Sequence, residues 1–172
     1  MEKGAEIYTA TVKSYAGVID ELSDFPAFFN NDPTTTTPDV YGYYIVTKDL
    51  GDGTDELTFT QSTTTTYKQY NGFSGVLDGQ GHTLKFKLKK GGLLGMFLGN
   101  ALIKNASFIY ADETLTTASG AKWKEGDGGY GLFGFMVVGK SVLDNCYFER
   151  TNNDYEKASV FGLVARPRGN LV

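Results

Sequence analysis

Two stretches of this chain are copies of one another: GLLGMFLGNALIKNASF, from Gly92 to Phe108, and GLFGFMVVGKSVLDNCYF, from Gly131 to Phe148. One gap aligns Gly92, Leu93 and Gly95 with Gly131, Leu132 and Gly134, and Gly99 with Gly139. The same alignment sets Leu102 beside Val142, Ile103 beside Leu143, Asn105 beside Asn145, Ala106 beside Cys146 and Phe108 beside Phe148. A third copy starts in SVFGLVARPRGNLV, where Phe161 and Gly162 take the FG position without the leading Gly-Leu. A repeat this short cannot bury an apolar face by itself, so the copies must stack, and the stack makes one continuous core. Stacking turns each aligned pair into a column. Ala106 and Cys146 share a small inward position, Phe108 and Phe148 stack as aromatics, and Asn105 and Asn145 form an amide ladder along the stacking axis. The recurrent glycines mark corners with no room for a side chain or with a positive φ.

The spacing of the copies is uneven. Gly134 and Gly162 lie 28 positions apart, enough for one turn of three strands, whereas Gly95 and Gly134 lie 39 apart. The surplus falls in ADETLTTASGAKWKEGDGGY, which has weak apolar periodicity and no equivalent after the second copy. An insertion in one repeat maps to a projecting loop, here 112–130. That loop holds the only tryptophan, Trp123, with Lys122, Lys124, Glu125 and Tyr130 near it. The aromatic faces of Trp123 and Tyr130 suit the apolar faces of sugar rings, which makes them the candidate ligand-binding residues. Packing within the loop or core is the competing use of the same rings.

Ahead of the repeats the pattern is also β-rich. FSGVLDGQGHTLKFKLKK has a tight DGQG turn, then Leu84, Phe86 and Leu88 alternating with Lys85, Lys87 and Lys89, the signature of a half-buried strand with a lysine face that discourages edge pairing. YGYYIVTKDL and ELTFTQ read as two further strands around the turn GDGTDE. Residues 13–31 carry Val18, Ile19, Leu22, Phe25, Phe28 and Phe29 at helical spacing, with Asp20, Glu21 and Asp24 opposite. This predicts a helical cap lying on the core. Pro26 interrupts it and is expected to open a second short helix with Asp24 or Phe25 at its cap. The threonine runs at 34–37 and 63–66 are local composition bias, too short for a disordered stalk.

Composition narrows the partners. With 16 basic and 20 acidic residues the net charge is −4, and no concentrated basic face exists for nucleic-acid phosphates. The single cysteine, Cys146, excludes an intrachain disulfide and any C-x-x-C metal pair, and reads as a buried thiol. No apolar run reaches the length of a membrane-spanning helix, and the first residues, MEKGAEIYTATVKSYAG, contain no signal-peptide core. The repeat therefore favours an excerpt from a longer precursor, with further coils of its own chain as neighbours.

GLLG at 92–95, GLFG at 131–134 and the lead-in FSGVLDGQGHTL resemble the GLUG-motif repeat proteins, over roughly residues 13–172. The resemblance implies an all-β, right-handed parallel β-helix of the pectin-lyase-like type with a short N-terminal α-helical cap. It implies one domain over 1–172: the cap at 13–31, first coils over 40–90, and repeats over 91–172 with the last truncated. It also implies an adhesin-like bacterial protein, secreted or at the cell surface.

A catalytic constellation is harder to find. Polysaccharide-cleaving enzymes on such folds need stacked carboxylates or carboxylate-bound calcium with a basic proton abstractor. The repeat instead sets Asp144 against Lys104 and Glu149 against Ile109. Asp49, Asp52, Asp55 and Glu56 lie three apart or adjacent and miss the alternate spacing of a calcium loop. His82, the only histidine, has no second histidine and no serine-nucleophile pattern near it, and reads as a turn residue. GDGG at 126–129 and DGQG lack the strand–loop–helix setting of a phosphate loop. The expectation is a non-catalytic module without metal or cofactor, adhesin-like or a spacer, whose partner is a glycan or a host or cell-surface component. The competing readings are the N-terminal fragment of a polysaccharide lyase or glycosidase, and a phage tail-spike component.

Overall fold

A computed structural model describes residues 14–29, 40–58, 73–90, 93–94, 97–112, 132–133, 136–137, 139–151, 163 and 170–172. Trp123 and Tyr130, the 112–130 loop beyond Asp112, both threonine runs and the corner glycines 92, 95, 131, 134 and 162 lie outside them.

The described residues are all-β with one short helix. In order come β1 (Gly17–Ile19), α1 (Asp24–Phe29), β2 (Tyr43–Val46), β3 (Glu56–Thr58), β4 (Val76–Asp78) and β5 (Thr83–Lys90). They are followed by β6 (Phe97–Leu98), β7 (Leu102–Asp112), β8 (Met136–Val137), β9 (Lys140–Arg150) and β10 (Asn170–Leu171). Every strand pairing among them is parallel. One row runs β1-β2-β4-β7-β9-β10, a second runs β3-β5-β7, and β6 pairs with β8 in a separate two-stranded sheet.

The long strands β7 and β9 join the two rows. Leu102–Lys104 pair with β4, and Ser107–Asp112 pair with β5. The strand must bend between the two, and it bends at Asn105, where φ is +53°. Asn145 does the same in β9, with φ +50°. Asparagine is among the few side chains that enter the left-handed region readily, because its short amide can bond locally. Asn105→Ala is expected to lose about 1–2 kcal/mol from backbone strain alone, and Asn105→Gly less, since glycine accepts that φ. Urea midpoints of the two variants check the ordering; equal losses would show that the backbone is not the cost.

The repeat alignment reappears as strand register. Leu102 pairs with Val142, Ile103 with Leu143, Ala106 with Cys146 and Phe108 with Phe148. The Phe108 and Phe148 rings stack 5.4 Å apart at 6°, and Phe133 meets both edge-on. The amide Nδ2 of Asn145 donates to Oδ1 of Asn105 at 3.0 Å. Leu93 N–H donates to Leu132 O, as aligned, whereas Phe133 N–H donates to Leu163 O, and β10 pairs Asn170 with Lys140, so the third copy meets the second two residues beyond the register that Phe161 and Gly162 in the FG position implied. Burial raises the Cys146 thiol pKa above its ordinary value, as expected of an unreactive thiol.

Upstream, β5 alternates as its sequence requires: Leu84, Phe86 and Leu88 are fully buried, Lys85 and Lys87 exposed. It is not an edge, however. β3 and β7 flank it, with Glu56 of β3 at the register position beside Lys87, so the lysine face belongs to an interior strand where edge protection was expected.

The segment 13–31 also differs from a helical cap throughout. Gly17 and Ile19 are buried and Val18 exposed, a period of two, because β1 finds a parallel partner in β2 (Val18 beside Ile45). Tertiary pairing overrides the local helical spacing here. The carboxylate of Asp24 accepts the N–H groups of Asp20 and Glu21, each at 3.0 Å, and so fixes the turn before α1. Pro26 falls in the first turn of α1, where its missing N–H has no intrahelical partner to lose. Phe25 and Phe29 are buried, and the Phe29 ring meets Tyr44 and Phe73 edge-on.

Candidate functional site

Among the described residues, the densest polar cluster is built around Asp78, the last residue of β4. Register places Asp78 between Ile45 on β2 and Lys104 on β7. Its side chain is only 4% exposed, and a carboxylate so enclosed must be fully bonded. Oδ2 accepts the Tyr43 hydroxyl at 2.5 Å and pairs with Lys104 Nζ at 3.0 Å. Oδ1 accepts the Gln80 N–H at 3.1 Å and Asn105 Nδ2 at 3.2 Å. The ammonium of Lys104 also stands over the Tyr43 ring, 5.4 Å from its centroid. Burial pushes the Asp78 carboxyl upward, but the four donors outweigh it and hold the pKa at about 2. The Tyr43 hydroxyl and the Asp78 carboxylate in turn raise Lys104.

The cluster extends as a ladder, Asp78 to Asn105 to Asn145, linked amide to carboxylate and amide to amide. Charge alternates beside it: Asp78, Lys104 and Asp144 occupy successive register positions. Gly79 makes the close approach possible. A Cβ there would stand 2.4 Å from the Ala106 Cβ and 2.5 Å from the Asn105 carbonyl oxygen.

A second feature is an open cleft of about 540 Å³ lined by Asp20, Glu21, Lys48, Asp49, Asp55 and Glu56 among others. At its margin His82 Nδ1 lies 3.3 Å from Asp49 Oδ1, and the same oxygen accepts the Thr83 N–H at 2.9 Å. That backbone bond, chiefly, lowers the pKa of Asp49, with His82 and Lys85 adding to it. Asp52 is lowered by the hydroxyl and N–H of Thr54, which close a tight side-chain turn. Among the described residues, no group of three or more His, Cys, Asp or Glu side chains is gathered as a metal site would be.

The chemistry available is that of fixation. A carboxylate at pKa about 2 with a cation beside it neither takes up nor gives a proton near neutrality. Lys104 faces Asp144, and Ile109 faces Glu149, as the repeat alignment requires. Among the described residues, His82 meets a carboxylate but no hydroxyl or thiol within hydrogen-bond reach. Asp78 and Tyr43 were not evident as site residues from their own segments. The signal that finds them is the tripeptide VLD, at 76–78 and again at 142–144, with LIK at 102–104 between them.

No family model, curated protein or solved structure matches this chain. Among the described residues, no helix is long and apolar enough to cross a membrane.

Proposed function

We infer that this chain is a non-catalytic β-helical module of the GLUG-motif kind, at a bacterial cell surface or secreted, with an adhesin-like or spacer role. The observation that carries the reading is the repeat-to-repeat register, in which Phe108 stacks on Phe148 and Asn145 bonds to Asn105. Such columns are what a solenoid needs, because each repeat contacts only its neighbours and contributes one layer to a shared core. Right-handed winding is the usual sense for parallel strands joined by crossovers in one sheet. In this reading α1, packed by Phe29 on Tyr44 and Phe73, closes the first layer. The dense polar cluster is spent on holding layers together, which suits a rod better than an active centre.

The ligand in this reading is a glycan held by the rings of Trp123 and Tyr130. Wild-type protein on a glycan array is expected to bind at least one sugar. Trp123→Ala should weaken that binding about 10-fold, the loss of one ring-stacking contact and its buried area, with an unchanged melting curve. Absence of binding to every glycan would remove the sugar reading. Release of reducing ends from a polysaccharide panel by the purified chain would overturn the non-catalytic one.

A further inference from the structure

We draw no further inference here: the strongest candidate, the open cleft walled by Asp20, Glu21, Asp49, Asp55 and Glu56 between the turn before α1 and the segment 48–57, is a cluster of exposed carboxylates with nothing else among the described residues that points to a ligand.

Discussion

Phe108→Ala is expected to lower folding stability by about 3–5 kcal/mol, the largest effect of any single truncation in the repeats. The ring is fully buried, and register places Leu84 on one side of it and Phe148 on the other. Phe133 closes the third side at 5.2 Å, edge-on. Truncation would open a cavity bounded by three separate strands or turns, and parallel strands fixed by backbone bonds cannot collapse into it. Phe148→Ala removes the same ring from the same stack, but from a partly exposed position. Water can fill part of that space, so its loss should be roughly half as large. The rings touch, so the double variant should cost less than the sum of the two. Urea unfolding of the three variants checks the grading. Equal losses from Phe108 and Phe148 would contradict the layered core.

Legibility divided along the length of the contacts involved. The repeats could be read because each column is written twice at the same offset: Leu102 and Val142, Ala106 and Cys146, Phe108 and Phe148 meet as aligned. The Leu84, Phe86 and Leu88 alternation was equally plain, because a strand with one buried face must alternate. What could not be read was the partner. The lysines of β5 suggested an edge, yet β3 lies against them, brought there from the far side of the turn at 51–55. The β1 residues satisfied helical spacing and strand spacing together, and only the presence of β2 decides between them. The Asp78 site was hidden for a similar reason. Tyr43, Asp78 and Lys104 come from three strands, and nothing within any one segment marks them as joined. The bend at Asn105 and Asn145 is local, yet the matched asparagines were legible only as an amide ladder, because the same short amide serves both the ladder and the left-handed backbone.

Acid should remove a specific part of this protein's stability, and Asp78 is where it acts. The carboxyl pKa is held near 2 in the folded chain, against an ordinary value of 3.8. A depressed folded pKa contributes stability that is complete above the unfolded value and is lost as pH falls through the folded one. The window therefore runs from about pH 5 down to about pH 2, and the shift corresponds to about 2 kcal/mol. Asp78→Asn keeps the shape and an acceptor for the Tyr43 hydroxyl but loses the charge facing Lys104. Its deficit against wild type should be about 2 kcal/mol at pH 7 and should shrink toward zero near pH 2, where the wild-type carboxyl also becomes neutral. Asp78→Ala should be worse at neutral pH, about 3 kcal/mol, because it strands four donors at once. Lys104 retains some access to water, which moderates that loss by letting its ammonium be hydrated. The lowered pKa values of the exposed Asp49 and Asp52 act in the same acid range, but they are common to wild type and variant and cancel from the difference. Unfolding of wild type and Asp78→Asn by urea at stepped pH values isolates the contribution. A deficit that stays constant from pH 5 to pH 2 would show that the four donors hold the shape of the side chain and not its charge.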